Sequence, residues 1–420
     1  MTAVQGLRGT RDFYPELMRE LNFIFNAWKA AARKFNYLEF DGPMLEPAEL
    51  WTLKSGAEIP EQMYCFEDKG GKKIAVRPEL TPTLARMVAA KQKELQKPIK
   101  WFSIARCWRY EAPQSGRLRE FFQLNVDCLG AESMMADAEV IATAVEIMKS
   151  FGCTENEFYV RLNNRKLIAS LILGAGIEKS RLQEVSRVID KKDKLSEKDF
   201  ILTLKDLNVK QEAIDNILVM LKSEIADIKE DKLDENGKKG YKELMELIGY
   251  LNAYGIFKYC MIDFTIMRGF DYYTSTVFEV FDKSGELRAI AGGGRYDDLV
   301  ADFGGEKCPG VGYGMGDVVL ELFLKKLNKM PEAKQEVDYY IAPVNEAVVK
   351  KAIEIAGKLR KKANVEIDIL GKNLKKQFEY ADSIGARKIV IVGEKDLKEN
   401  KVTIRDMKSG NEEKVDLNSL

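Results

Sequence analysis

Residues 106–123, RCWRYEAPQSGRLREFFQ, place arginine, glutamate, aromatic and amide side chains around a PQSG turn signal. If this segment folds as strand, turn and strand, alternate side chains of each strand share a face. Arg109 and Glu111 then point the same way on the first strand. One face of the second strand presents Arg117, Arg119, Phe121 and Gln123.

Such a surface is suited to a nucleotide. Arginine forks bind phosphates, a carboxylate accepts from an exocyclic amino group, and an aromatic ring stacks on a base. Taken alone, the segment fits a second interpretation equally well. Arginine–glutamate pairs across neighbouring strands are common on solvated sheet faces, where they contribute little to stability.

The segment VRPELTP (76–82) places Glu79 and Thr81 two residues apart after a strand pattern. A carboxylate and a hydroxyl at this spacing can hold an ammonium group. The alternative is an ordinary helix start, because Thr81 followed by Pro82 also fits an N-cap with proline in the first helical position.

Two glycine-containing segments add further polar side chains. MRGFDYY (267–273) has Arg268 in an apolar setting, where a buried arginine requires an anionic partner. A pair of core tyrosines beside a snorkelling arginine is the alternative interpretation. AGGGRYDDL (291–299) combines glycines, which permit close backbone approach, with Tyr296, but no GK[ST] follows as in a Walker loop.

The composition excludes several mechanisms. The 420 residues include no histidine, so Ser-His-Asp and Cys-His nucleophile systems and histidine-ligated metals are excluded. The six cysteines contain no CxxC pair, which argues against a zinc site or a disulfide framework. Basic and acidic residues balance at 66 each, so a polyanion must be bound by local patches. Without a signal-peptide pattern or a bilayer-spanning apolar run, we expect a cytoplasmic location and no membrane partner.

The length favours two or three domains. Across 175–252 aromatic residues become rare and helical spacing dominates, which predicts a helical insertion within a first domain made of 1–174 and 253–326. A linker is expected at 327–336. In 337–420 strand patterns alternate with helix patterns, which predicts a small, mostly parallel α/β domain whose first helix is lysine-rich.

These motifs together resemble the histidyl-tRNA synthetases, a family of class II aminoacyl-tRNA synthetases, over nearly the whole chain. RGTRDFYP (8–15) resembles the N-terminal segment of that family, and residues 27–51 and 101–129 resemble its motifs 1 and 2. MRGFDYYTSTVFE and AGGGRYDDLV resemble the two signatures that distinguish the histidine enzymes. Residues 337–420 resemble an anticodon-binding domain.

The resemblance implies an α+β catalytic domain, with an antiparallel sheet flanked by helices and a helical insertion, followed by the α/β anticodon-binding domain. The implied activity is that of a ligase. L-Histidine and ATP, with Mg²⁺, form histidyl-adenylate and pyrophosphate, and histidine then passes to the 3′ end of tRNA(His). The implied assembly is a homodimer formed through the motif 1 region.

The resemblance also implies roles for individual residues. Arg109 and Arg268 are the expected catalytic residues, one on each side of the α-phosphate. The expected ATP-binding residues are Arg109, Glu111, Arg117 and Phe121. The expected histidine-binding residues are Glu79, Thr81, Gln123, Asp127, Arg268, Tyr272, Tyr273 and Tyr296. Gln114 is the candidate contact for the tRNA acceptor end, and no metal ligand is assigned.

One position departs from the family pattern. Motif 3 usually contains an ATP-binding arginine in a GLER-like run, whereas this chain has Gly316 and Asp317 there. Two interpretations of Asp317 remain open, metal binding and pairing with a nearby arginine. The alternative function is a histidine-sensing regulatory subunit derived from a synthetase. The intact MRGFDYY segment and the presence of residues 337–420 favour the ligase.

Overall fold

The computed structural model describes residues 4–52, 58–267, 272–331 and 337–420. The chain forms two compact units, Met1–Pro331 and Glu332–Leu420. Arg268, which the sequence analysis singled out, lies outside the described residues. None of the described helices is long and apolar enough to cross a membrane.

The first unit is built from short and long strands joined by helices. Its strands are β1 (Leu38–Glu39), β2 (Leu45–Pro47), β3 (Tyr64–Glu67), β4 (Lys73–Val76), β5 (Ile99–Trp108), β6 (Glu120–Leu129), β7 (Phe158–Asn164), β8 (Cys260–Ile262), β9 (Thr276–Asp282), β10 (Ala291–Tyr296) and β11 (Gly310–Gly316). Its helices are α1 (Pro15–Lys34), α2 (Glu49–Thr52), α3 (Glu58–Gln62), α4 (Thr81–Lys91), α5 (Met134–Ser150), α6 (Arg165–Gly174), α7 (Leu182–Asp190), α8 (Glu197–Asp206), α9 (Gln211–Lys222), α10 (Glu235–Ala253), α11 (Leu299–Asp302) and α12 (Asp317–Lys326).

The main sheet has the order β1-β5-β6-β11-β10-β9-β7-β8. Its edge strands β1 and β8 pair in parallel with their neighbours, and the remaining pairs are antiparallel. A smaller antiparallel sheet, β2-β4-β3, precedes α4. The predicted antiparallel sheet flanked by helices is therefore confirmed.

The two faces of the main sheet have different chemistry because side chains alternate along each strand. On one face Leu124 and Val126 of β6 and Met315 of β11 join a large apolar core with α1 and α5. The indole Nε1 of Trp28 on α1 lies 3.2 Å from the sulfur of Met315. The helices therefore cover this face, and the polar residues of the same strands point to the other one.

Helices α7 to α10 occupy the region predicted to be a helical insertion. Glycines allow α10 to lie directly against α6. A Cβ atom on Gly240 would lie 2.5 Å from the backbone nitrogen of Leu167, and one on Gly237 would lie 2.3 Å from Ser170. Both glycines are buried. A side chain at either position would force the two helices apart.

Substitution of two glycines in α10 tests this packing. We expect Gly240→Ala to lower the free energy of unfolding by roughly 1–3 kcal/mol, because the added methyl overpacks against backbone. Gly249→Ala is the matched control in the same helix, since no heavy atom lies within 4 Å of its Cβ position. Its better helix propensity should raise stability by roughly 0.5–1 kcal/mol. Urea unfolding would measure both, and equal effects would contradict the packing argument.

The second unit contains a five-stranded sheet of order β13-β12-β14-β15-β16. Its first three strands are parallel and the last two form an antiparallel hairpin. The elements are β12 (Val337–Pro343), α13 (Val349–Leu359), β13 (Val365–Ile367), α14 (Leu374–Ser383), β14 (Ala386–Val392), α15 (Glu394–Lys398), β15 (Lys401–Asp406) and β16 (Glu412–Asp416). The predicted mostly parallel α/β domain is confirmed.

Candidate active site

The site lies on the face of the main sheet opposite α1 and α5, where polar side chains of β6 are set against glycines of β11. The strand register pairs Gln123 with Gly316, Asn125 with Gly314 and Asp127 with Gly312. We call these three glycines, with Gly292 and Gly294 of the neighbouring β10, the glycine floor.

The glycine floor leaves space that the polar side chains fill. A Cβ atom on Gly312 would lie 2.0 Å from Asp127 Oδ1, and one on Gly314 would lie 2.0 Å from Gln123 Nε2. Any larger residue at these two positions would displace the side chains of β6. The floor therefore allows Gln123 and Asp127 to lie across the sheet.

A buried hydroxyl–carboxylate pair forms the deepest part of the pocket. The Tyr296 hydroxyl donates to Asp127 Oδ1 at 2.5 Å, and both side chains are buried. The second carboxylate oxygen of Asp127 and the Oδ1 atom of Asn125 are also buried, and neither accepts a hydrogen bond from a described residue. Buried acceptors without protein partners are uncommon and indicate a polar ligand with donor groups.

Burial governs the ionisation of this pair. Desolvation raises the pKa of Asp127 to about 7; the Tyr296 hydroxyl lowers it, and the nearby Glu79 carboxylate raises it further. Desolvation and the Asp127 carboxylate raise the pKa of Tyr296 well above its ordinary value. At neutral pH the Tyr296 hydroxyl is therefore protonated and can donate to Asp127.

Glu79 and Thr81 line the same pocket at the start of α4. Glu79 is buried, and its Oε2 accepts from the Tyr272 hydroxyl at 3.2 Å. Thr81 belongs to the first turn of α4, whose N-cap is Leu80, and no side chain caps that helix end. The interpretation of Thr81 as an N-cap is therefore wrong, and its side chain faces the pocket instead.

Buried Arg77 fixes the segment that carries Glu79. Its Nε donates to the Arg106 carbonyl at 2.9 Å, and its Nη1 donates to Asp41 at 2.6 Å and to the Gly42 carbonyl at 2.9 Å. The indole of Trp51 donates to the carbonyl of Glu79 at 3.2 Å. The segment that carries Glu79 is therefore anchored at Arg77 and at the Glu79 carbonyl.

A second pocket adjoins the first and shares Arg109 and Gly316 with it. Arg109 donates through Nε to the Pro78 carbonyl at 3.0 Å, and its guanidinium lies 5.2 Å from the centre of the Phe121 ring. Arg117 pairs with Glu111 at 2.6 Å. Arginine, carboxylate and aromatic groups thus converge beside the first pocket.

The structure brings most of the predicted residues together. The first pocket is lined by seven predicted histidine-binding residues, Glu79, Thr81, Gln123, Asp127, Tyr272, Tyr273 and Tyr296, and by Arg109. The second pocket is lined by four predicted ATP-binding residues, Arg109, Glu111, Arg117 and Phe121. Gln114 is exposed in the turn between β5 and β6 and lines neither pocket.

The predicted placement of the arginines on strands is wrong. β5 ends at Trp108 and β6 begins at Glu120, so Arg109, Glu111, Arg117 and Arg119 lie in the connection between them. Arg119 donates to the Glu111 carbonyl at 3.1 Å and lies over the Tyr110 ring. The orientation of these side chains is therefore set by contacts across the connection and not by strand alternation.

Three comparisons with known proteins agree with one another. A family model described as histidyl-tRNA synthetase matches residues 9–316. The chain belongs to the histidyl-tRNA synthetase family. A second model, described as an anticodon binding domain, matches residues 338–420. The resemblance of the sequence to histidyl-tRNA synthetases is therefore confirmed, as is the class II fold that it implied.

Individual relatives of this synthetase-family chain match over nearly their full length. A histidine–tRNA ligase of Leptospira biflexa is 38% identical, with 97% of this chain and 94% of the relative covered. A histidine–tRNA ligase of Pyrococcus furiosus is also 38% identical, with 99% and 98% covered. The crystal structure of a histidyl-tRNA synthetase from Nostoc sp. PCC 7120 superposes with a TM-score of 0.83 at 25% identity, covering 100% of this chain and 98% of that one.

Asp317, which departs from the motif 3 pattern, has a structural partner. Its side chain is fully buried, and its Oδ2 accepts from Arg11 Nη2 at 2.6 Å. Its Oδ1 accepts from the backbone nitrogen of Phe122 at 2.9 Å. Burial raises the pKa of Asp317, and Arg11 opposes that effect. The interpretation of Asp317 as the partner of an arginine is therefore confirmed.

Several contributors to this site were not predicted from the sequence. Asn125 lies between Gln123 and Asp127 on the same face of β6, and strand alternation alone would have identified it. The glycines of GYGMG (312–316) follow the same two-residue period. No local pattern identifies Arg11 as the partner of Asp317, because the two residues are 306 positions apart.

Asp127→Asn tests the burial of the Asp127 carboxylate. An unfolded aspartate has a pKa of about 3.9, and that of Asp127 in the folded protein is about 7. Between these values the folded state binds more protons, so the stability contributed by this group falls as pH rises through that window. We expect the free energy of unfolding of the variant, relative to wild type, to rise by roughly 1–4 kcal/mol between pH 4 and pH 8.

Urea unfolding without histidine, at several pH values, measures this difference. Asp231→Asn, at an exposed position in the same unit, is the matched control. A difference between wild type and Asp127→Asn that stays constant with pH would contradict the assignment.

Proposed function

We propose that this chain is a histidine–tRNA ligase that activates histidine with ATP and transfers it to tRNA(His). The observation that carries the proposal is the junction of two pockets at Arg109. One pocket holds a buried carboxylate–hydroxyl pair, and the other holds arginines and an aromatic ring. An amino acid in the first and a nucleotide in the second would bring a carboxylate next to an α-phosphate.

In the first pocket the buried polar groups select the imidazole. Asp127 accepts a hydrogen bond from an N–H group of the imidazole, and Tyr296, Tyr272 and Tyr273 surround the ring. Glu79 and Thr81 hold the α-amino group of histidine, and Gln123 holds its carboxylate. A pocket with such buried polar groups discriminates strongly against apolar side chains, which would leave them without partners.

In the second pocket the adenine ring stacks on Phe121. Glu111 accepts from the adenine amino group, Arg109 binds the α-phosphate and Arg117 binds the outer phosphates. Arg268 approaches the α-phosphate from the other side by analogy with the family. ATP is bound as its Mg²⁺ complex. Glu111 and Asp317 are each paired with an arginine at 2.6 Å, and we assign no residue of the chain as a metal ligand.

The activation step needs charge stabilisation rather than a general base. The histidine carboxylate is already ionised and attacks the α-phosphorus. A bond from its oxygen to phosphorus forms as the bond to the pyrophosphate oxygen breaks. Arg109 stabilises charge on the α-phosphate in the transition state and holds it near the carboxylate. A terminal ribose hydroxyl of the tRNA then attacks the acyl carbon, and an ester bond forms as the acyl–phosphate bond breaks. AMP leaves, and the hydroxyl proton passes to the phosphate or to solvent.

The remaining parts of the chain are assigned to the tRNA and to assembly. We assign residues 1–174 and 253–326 to the catalytic domain and 175–252 to an insertion. A linker at 327–336 leads to the anticodon-binding domain at 337–420. Gln114 is the proposed contact for the acceptor end.

A cytoplasmic homodimer through residues 27–51 completes the proposal. Three apolar side chains of that region are exposed in the single chain, Leu38, Met44 and Leu45. Burial against a second copy would remove this apolar surface from water.

Histidine-dependent exchange between ATP and pyrophosphate tests the activation step. We expect wild-type protein to catalyse it, and Arg109→Ala to lower kcat/KM for ATP by roughly 100- to 1000-fold, as loss of a transition-state donor does. Arg106→Ala is the matched control, because Arg106 pairs with Glu120 at 3.2 Å and lines neither pocket. Wild-type protein that binds histidine without exchange would refute the ligase and favour the regulatory subunit.

The anticodon-binding unit offers a separate test. Among the lysines of its first helical segment, Lys358 and Lys362 donate to backbone carbonyls near the C-terminus. The side chains of Lys350 and Lys361 are exposed and form no ion pair or hydrogen bond with a described residue. We expect Lys350→Ala with Lys361→Ala to weaken tRNA binding and to reduce the slope of its salt dependence by about 1–2. The control pair is Lys395→Ala with Lys398→Ala on α15, and an equal effect would contradict the assignment.

A further inference from the structure

The second pocket has little positive charge among its described lining residues, and neither Asp317 nor Arg11 lines it. The first turn of α12 contributes only Val318 and Val319 to its lining, both apolar. Among the described residues that line this pocket, the cations are Arg109 and Arg117. Arg117 already shares its charge with Glu111. Because ATP carries most of its charge on the β- and γ-phosphates, a further cation is expected near them.

Arg288 lies at the edge of this pocket. It belongs to the connection between β9 and β10, and its Cδ atom is 3.8 Å from the Cβ position of Gly116, a residue of the pocket wall. The next two residues, Ala289 and Ile290, line the first pocket. Arg288 therefore lies where the walls of the two pockets meet, with a side chain long enough to reach either.

The electrostatic surroundings of Arg288 are those of an anion-binding group. The side chain forms no ion pair or hydrogen bond with any described residue, although most other arginines near the site have such a partner. Partial burial and the neighbouring Arg117 lower the pKa of Arg288, and Glu111 opposes this. Two neighbouring guanidinium groups bind a polyanion more strongly than either alone.

A solvated loop arginine is the ordinary interpretation of an exposed Arg288. It does not account for the position of the side chain against Gly116. A position beside a second arginine is electrostatically unfavourable for an arginine, since like charges repel. A triphosphate between Arg117 and Arg288 would remove that repulsion.

We propose that Arg288 binds the β- and γ-phosphates of ATP and supplies the positive charge that the motif 3 position lacks in this chain. The inference rests on the proposed function, because it concerns the same nucleotide site. In the reaction, Arg288 stabilises the pyrophosphate as its bond to the α-phosphorus breaks, and no proton moves to or from the guanidinium. Backbone phosphates of tRNA present the same chemical group and are the alternative ligand of Arg288.

Binding of ATP and of AMP to Arg288→Ala separates these sources. We expect the affinity for ATP to fall roughly 10- to 100-fold, the range for loss of a hydrogen bond to a charged group. The affinity for AMP, which lacks both outer phosphates, should stay unchanged, as should the affinity for tRNA. Calorimetry gives the nucleotide affinities, and Arg288→Lys should recover part of the loss because it retains the charge.

Lys283→Ala is the matched control, because Lys283 is an exposed cation in the same connection and lies over the Tyr159 ring. It should bind both nucleotides like wild type. Thermal unfolding of each variant checks that the fold is intact.

Each other outcome overturns the proposal. If Arg288→Ala leaves the affinity for ATP unchanged, Arg288 is a solvated side chain without a role in nucleotide binding. If the variant loses the same affinity for ATP and for AMP, Arg288 shapes the pocket and does not bind the outer phosphates. A loss for tRNA alone would assign it to backbone phosphates. These binding results are independent of exchange activity. If wild-type protein binds ATP but does not catalyse exchange, the ligase proposal is refuted. The ATP and AMP affinities of Arg288→Ala still show whether Arg288 binds the outer phosphates.

Discussion

The site depends on one packing constraint, the absence of side chains on the glycine floor. The register sets Gln123, Asn125 and Asp127 against three glycines of β11, and the close approach at Gly312 and Gly314 leaves no space for a methyl group. Without that space the polar row of β6 would have to point elsewhere. The buried pair of Asp127 and Tyr296, and the first pocket itself, follow from this arrangement.

The arginines of the first unit divide according to their partners. Arg77 and Arg295 are buried and satisfied by carboxylates and carbonyls, and Arg295 forms its main ion pair with Asp137 on α5. These residues position elements, because breaking a buried pair leaves an uncompensated charge. The Arg109 side chain has one hydrogen bond to a described residue, the Pro78 carbonyl, and it lines both pockets. The same residue type therefore builds the scaffold in one place and binds anions in another.

Local sequence patterns predicted the mostly parallel α/β domain, and the family resemblance predicted the class II fold and most of the polar residues that line the two pockets. They succeeded where one residue period or one motif contains the information, as for Phe121 and Gln123 on β6. They failed for Arg109 and Arg117, because the strands end before these residues and long-range contacts then determine their direction. Arg11 and Arg288 have no local signal, since their importance comes from residues distant in the chain.

The pair formed by Arg11 and Asp317 also constrains how this lineage can change. An arginine introduced at position 317 alone would replace a fully buried carboxylate and lie against Arg11, so two cations would share one desolvated space. A change at Arg11 alone would leave Asp317 charged and buried. Each substitution is unfavourable until the other has occurred. The two positions are therefore expected to change together rather than singly.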